Sequence, residues 1–159
     1  VSATARPGSA DLAAMAAAMT ARGAAGGDPH VAWTPELVGW RYFSPTGPAC
    51  VLIGAPGASP WAIISCGVRN GVSVARLMEY EEEGDPSFVK TVLRAARGLG
   101  ASLLLGYTTE ERMKARLLAA GWRLKKDPPS SFVLGAPTLS VGAAAADLGF
   151  EAIVTKVVA

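Results

Sequence analysis

Apolar residues recur along the chain at two periods, and the switches between them mark out the elements. Leu12, Met15 and Met19 fall at helical spacing after the breaker Pro7-Gly8-Ser9, which predicts a helix with Ser9 as its N-cap and Asp11 in its first turn. Residues 1–5 before it predict a short strand. Residues 21–29 are glycine-rich and predict a loop, after which Thr34-Pro35-Glu36 opens a second helix with Pro at the first helical position. That helix carries Leu37, Val38 and Trp40. Residues 50–55 and 61–68 are apolar and flank the turn residues Pro56-Gly57-Ala58-Ser59-Pro60, so they predict a hairpin. Asn70-Gly71 supplies two residues that tolerate positive φ, as a type I′ turn requires, and predicts that residues 72–80 fold back on 61–68.

The second half changes period again. Gly84-Asp85-Pro86 opens a helix whose Phe88, Val89, Val92, Leu93 and Ala96 form one apolar stripe, stopping near Gly98 or Gly100. A leucine run over residues 102–107 predicts a buried strand. Thr108 and Glu111 stand at capping-box spacing before a helix with Met113, Leu117 and Leu118, stopped by Gly121. Residues 122–126 and 131–134 flank Asp127-Pro128-Pro129 and predict a last hairpin. A tail follows, with a short Ala-rich helix over 143–148 and a β-branched run over 153–158. The predicted order, β-α-α-β-β-β-α-β-α-β-β, is α+β, a mixed α/β three-layer arrangement with a mostly antiparallel central sheet and helices on both faces. Two regions are expected: a domain over 1–135 and a C-terminal extension over 136–159.

Composition narrows the classes without choosing among them. The 159 residues suffice for one core, and at 50% hydrophobic with 18% charged the chain is globular, not disordered. A net charge of +2 gives no basic excess for DNA, and no apolar run is long enough to span a membrane. Nothing at the start reads as a signal peptide, so cytoplasmic residence is the expectation. Because the chain opens on Val1, a longer parent carrying another domain is also expected as an option. Cys50 and Cys66 make no disulfide framework, and with His30 alone there is no zinc set. The hairpin places the two cysteines as cross-strand neighbours, buried as free thiols. The near-zero balance conceals an acidic block over 79–85 and a basic stretch containing Arg112, Lys114, Arg116, Arg123, Lys125 and Lys126. The latter suits either a phosphate ligand or a solvated helix face.

The element order, the opening Arg6-Pro7-Gly8-Ser9-Ala10-Asp11-Leu12, and a late helix ending in Ala119-Ala120-Gly121-Trp122 resemble the GCN5-related N-acetyltransferases, the GNAT fold, over about residues 1–135. Trp40-Arg41-Tyr42 before Pro45 is also similar to GNAT relatives of polysaccharide and peptidoglycan chemistry, including the Fem-type aminoacyl transferases. The resemblance implies transfer of an acyl group from acetyl-CoA or another acyl-CoA to a small-molecule or peptide amine. It implies cofactor-binding residues at Arg76, Leu77, Met78 and Ser87, with Glu79 as the base for the amine and Tyr107 lining a cleft between the fourth and fifth strands. Each has a plainer alternative: Glu79 as a solvated strand end that complements the next helix's dipole, Tyr107 as a core cap with a wet hydroxyl.

Two positions depart from the family's pattern. Its pyrophosphate turn is rich in glycine, whereas residues 80–87 read Tyr-Glu-Glu-Glu-Gly-Asp-Pro-Ser, with carboxylates where an anion should sit and a proline lacking an N–H. Weak CoA affinity, or none, is expected there. The family's proton-donating Tyr, four residues before the Gly-aromatic pair, is here Leu117. A catalytically silent binding module therefore stands as the alternative to an enzyme. A homodimer formed through the tail is left open. The four tryptophans are expected as core anchors whose N–H groups remain satisfied.

Overall fold

A computed structural model describes residues 3–25, 31–58, 60–81, 85, 87–108, 111–124 and 151–154 of the chain. In chain order the elements are β1 (Ala3–Thr4), α1 (Ser9–Ala25), α2 (Pro35–Phe43), β2 (Cys50–Gly54), β3 (Trp61–Arg69), β4 (Val72–Glu81), α3 (Phe88–Gly98), β5 (Leu103–Thr108), α4 (Glu111–Ala119), β6 (Arg123–Leu124) and β7 (Glu151–Val154). The order through β6 is the one the hydrophobic pattern predicts. His30, the 131–134 stretch and the 143–148 helix lie outside the described residues.

The strands form one seven-stranded sheet in the order β1-β2-β3-β4-β5-β7-β6. Every pairing is antiparallel except β4 with β5, which run parallel across the α3 connection. The Asn70-Gly71 turn forms as expected: Arg69 faces Val72, and the two turn residues have φ of 51° and 78°. The last strand is Glu151–Val154, seated between β5 and β6.

Period-two alternation sends β3 into two separate cores. Trp61 and Ile63 join Met15, Ala16, Met19, Val38, Tyr42, Cys50 and Leu52 under α1 and α2. Ala62 and Ile64 point the other way and join Ile53, Ala75, Leu104, Leu117 and Trp122 with the α3 stripe of Phe88, Val89, Val92 and Ala96. These are the two outer layers that the three-layer expectation requires.

Helix ends follow local chemistry. Thr34 Oγ1 accepts the Leu37 N–H at 3.2 Å and Pro35 follows it, so α2 starts where the sequence indicates. α3 and α4 end alike. Ala101 N–H donates to Ala96 O and Trp122 N–H to Leu117 O, both 3.0 Å, while Gly100 and Gly121 adopt φ of 80° and 90°. These are Schellman stops, which a left-handed residue makes possible and glycine makes cheap.

Several expectations need correction. α1 starts at Ser9 itself, with Gly8 O accepting the Leu12 N–H and the Asp11 carboxylate reaching back to the Gly8 N–H. It also continues through Ala21–Ala25 residues assigned to a loop, because alanine has the best helix propensity and one interior glycine costs only about 1 kcal/mol. Thr108 belongs to β5, and α4 begins at Glu111. Cys50 pairs with Ser65, not Cys66. That one-residue difference in register puts Cys50 beneath α1 and α2, and Cys66 against the opposite core. Both are free thiols, and burial pushes each above the ordinary thiol range, which leaves them poor nucleophiles. Trp40 is 70% exposed; Tyr42 takes the inward position on α2 instead. The buried indole N–H groups of Trp61 and Trp122 find no hydrogen-bond partner among the described residues, contrary to expectation.

Candidate functional site

The site grows from an irregularity in β4. Leu77 faces Ile64 and Glu79 faces Ile63, so Met78 is an extra residue with no opposite number on β3. Such a bulge bends the strand and reverses its alternation. Leu77 therefore packs in the core under α3 and α4, while Glu79, two residues on, emerges on the α1–α2 face. Without the bulge the two would share a side.

The same point is where β4 and β5 stop pairing. Their parallel ladder runs from Val74 with Leu103 to Leu77 with Gly106 and goes no further. β4 continues to Glu81 beside β3, and β5 continues to Thr108 beside β7. A split thus opens between residues 78–81 and 107–108, with a strand's main-chain polar groups along one wall. Gly106 shapes its base: a Cβ there would stand 2.9 Å from Cζ3 of Trp122, so glycine lets the indole lie on the strand.

Glu79 is held by two helices. Arg22, in the last turn of α1, pairs with Oε2, and Tyr42 on α2 donates its hydroxyl to Oε1 at 2.7 Å. Arg22 also donates to Tyr80 O at 3.3 Å and lies 4.0 Å from the Glu81 carboxylate. Burial, followed by the charge and hydrogen bond of Glu79, drives the Tyr42 phenol well above its ordinary range and keeps it protonated. Arg41 completes the set. Its Nε–H donates to Tyr42 Oη at 3.2 Å, and its guanidinium lies 5.4 Å from the Tyr42 ring centre and 5.9 Å from that of Trp33.

Glu79 is accordingly no solvated strand end; its side chain is 15% exposed and is held by one donor from each of two helices. Arg76 and Leu77 lie on the paired stretch of β4, and exposed Met78 is the bulge itself. Tyr107 stands one residue past the last β4–β5 pair, opposite Ala152 of β7; its side chain lies outside the described residues. Ser87 precedes α3, and both its N–H and its hydroxyl donate to the Asp85 carboxylate, at 2.9 and 2.7 Å. Both donors that Ser87 offers ahead of α3 are thereby taken by the chain's own carboxylate. Leu117 is buried in the core.

Arg22, Arg41 and Tyr42 were not predicted as site residues. A signal for two of them exists: Arg22 follows Met15 and Met19 at helical spacing, and Tyr42 follows Val38 by four, so each falls on an inward face. A charge placed there needs a partner. Among the described residues, no group of three His, Cys, Asp or Glu side chains could hold a metal, and no helix is long and apolar enough to cross a membrane.

A scan against protein families finds no match, and neither does a search of curated proteins. Among solved structures, one entitled "Crystal structure of a putative phosphinothricin N-acetyltransferase" superposes with a TM-score of 0.54 at 14% identity, covering 96% of each chain. That similarity extends over nearly the whole length of both proteins. It establishes the fold as the GNAT-like mixed α+β sheet.

Proposed function

We propose that this chain is an N-acyltransferase, moving an acyl group from an acyl-CoA thioester, acetyl-CoA in the simplest case, to an amine. The observation that carries the reading is the split between β4 and β5 beyond Leu77 and Gly106, opened beside a bulge at Met78 with a carboxylate next in line. The thioester arm would lie along the main chain of Arg76, Leu77 and Met78. Glu79 would accept the proton of the incoming amine, its two oxygens each retaining a lone pair beside the Tyr42 and Arg22 donors. The amine nitrogen bonds to the thioester carbonyl carbon, the C–S bond breaks, and the thiolate leaves with the electron pair. With leucine at 117, the thiolate takes its proton from water. The structural neighbour's title, naming an N-acetyltransferase, supports an amine acceptor. The likeness of Trp40-Arg41-Tyr42 to Fem-type relatives makes an aminoacyl ester a second donor to assay.

Release of free thiol from acetyl-CoA in the presence of an amine panel tests the reading directly. Glu79→Gln is expected to lower the rate about 10²- to 10⁴-fold, the usual contribution of a positioned general base. A variant at full rate would remove the assignment.

A second reading, a catalytically silent binding module, is favoured by Asp85. Its carboxylate accepts both Ser87 donors, where a pyrophosphate would be received, so this part of the site does not fit CoA as well as the split does. Acetyl-CoA at a hundred times its dissociation constant would stabilise the protein by about 2.7 kcal/mol. No thermal shift at millimolar acetyl-CoA, in both the parent and Asp85→Ala, would remove the acyl-CoA reading, and no turnover with an aminoacyl ester either would leave the silent module. Under the enzyme reading, Asp85→Ala tightens acetyl-CoA binding several-fold, because it frees the Ser87 N–H and removes a like charge.

A further inference from the structure

A cavity lies away from the β4–β5 split, where the link from β1 to α1 meets the C-terminal end of α2. It measures about 480 Å³, inside the range of about 300–1,000 Å³ usual for small-molecule sites. Pro7, Leu12, Phe43 and Pro45 give it apolar walls, and Arg6 and Trp40 join them on the lining. Local bonds fix both sides. The Arg6 N–H donates to Thr4 Oγ1 at 3.2 Å and the Gly8 N–H to the Asp11 carboxylate at 3.0 Å, which sets the link before α1. The Gly47 N–H donates to Ser44 O at 3.0 Å, which turns the chain around Pro45. A ligand therefore meets walls that are already ordered.

The two side chains suited to hold a ligand are both unengaged. Arg6 forms no ion pair or side-chain hydrogen bond among the described residues, and it is the one charged residue on the lining. The Trp40 ring, 70% exposed, stacks on no aromatic ring and on no cation among them. A large indole left in water beside a cavity is the kind of exposure that marks a contact site. The cavity is separate from the Glu79 site. Trp40 stands two residues before Tyr42 on α2, so the two point about 200° apart around the helix, and Tyr42 is the one that reaches Glu79. On α1, Leu12 lies about 15 Å along the axis from Arg22.

We infer that this cavity binds a small aromatic carboxylate, its ring against Trp40 and its carboxylate on the Arg6 guanidinium. The apolar walls favour a ligand with a hydrocarbon body, and the guanidinium offers a planar carboxylate two parallel N–H donors. One cation matches one negative charge. A phosphate monoester would bring nearly two against apolar walls, and an uncharged aromatic would leave the guanidinium unmatched. The inference stands apart from the acyl-transfer reading, in which neither Arg6 nor Trp40 takes part.

Side-chain NMR of the full chain tests this with benzoate, naphthoate and indoleacetate as probes. Saturable shifts of the Trp40 indole and Arg6 Nε–H resonances are expected with at least one acid, while the Arg22 Nε–H resonance stays in place. The matching carboxamide is expected to bind about tenfold more weakly, as for loss of a charge-assisted pair. Arg6→Gln should bring acid and amide to the same affinity, whereas Trp40→Ala should weaken both. Both side chains are exposed, so each variant should melt as the parent does. No saturable shift with any of the three acids at millimolar concentration, or equal affinity for acid and amide in the parent, would overturn the inference. Shifts centred on Arg22 would also overturn it, by placing the acid at Glu79. So would tighter binding of a peptide ending in phenylalanine than of every free acid, since the occupant would then be a protein terminus. None of these outcomes bears on thiol release from acetyl-CoA.

Discussion

Tyr42 shows how much one buried hydroxyl can organise. It stacks near Trp33, donates to Glu79 and receives Arg41, so it links α2 to β4 while positioning the carboxylate. Tyr42→Phe keeps the ring and removes the donor, and is expected to cost about 1.5–3 kcal/mol in urea unfolding, as for a hydrogen bond to a charged group. The folded protein holds this phenol above its ordinary range, whereas the unfolded chain releases the proton near pH 10. The unfolded state therefore binds fewer protons above that pH, and stability falls as pH rises. The decline above about pH 10 should be shallower in Tyr42→Phe than in the parent; equal slopes would mean that Tyr42 does not contribute to it. The sequence exposes Tyr42 only through its spacing from Val38. It gives no means of pairing it with Glu79, because that contact joins residues 37 positions apart.

At the scale of elements, local patterns were sufficient wherever local physics decides. The α3 stripe, the Asn70-Gly71 turn, Pro35 at the start of α2 and the glycine stops after α3 and α4 were all readable, since each depends on neighbours within about five residues. Register was not. The cysteine faces depended on a single position in the β2–β3 hairpin, and the Met78 bulge lies inside a run, Val72–Glu81, whose composition shows no break. The bulge can be tested cleanly. Deleting Met78 joins Leu77 to Glu79 in an unbroken ladder, leaving Ile64 opposite Leu77 and Ile63 opposite Glu79. Each side chain then keeps its face and its core. The expected outcome is a folded protein with near-parental melting but at least tenfold weaker acetyl-CoA binding by calorimetry, since the bend at the split is lost. Parental affinity in the deletion variant would show that the bulge does not shape the thioester path.

For the whole molecule, the decisive fact is that the sheet is closed by residues distant in sequence. β6 pairs with β7, and β5 pairs with β7, so Glu151–Val154 joins α4 and its following strand to the rest of the sheet. The hydrophobic pattern marked a β-branched run near this position but could not say where it docks, because a four-residue strand carries too little pattern to choose a neighbour. We expect a chain ending at residue 150 to melt at lower temperature and to self-associate through the bared edge of β5. Scanning calorimetry and light scattering check this; parental melting without association would mean that 136–159 is a dispensable extension.

The position of β7 also sets an order of events during synthesis. Residues 103–108 and 123–124 leave the ribosome well before 151–154, and with chain synthesis at roughly 5–20 residues per second the delay is on the order of seconds. For that interval β5 has a free edge on the side that β7 will occupy, and β6 has no described strand to pair with. The wall of the split that receives Tyr107 and Thr108 is therefore fixed last. Nascent chains of this protein should acquire the β2–β3–β4 meander first and ligand-binding competence only once residues 151–154 have been made.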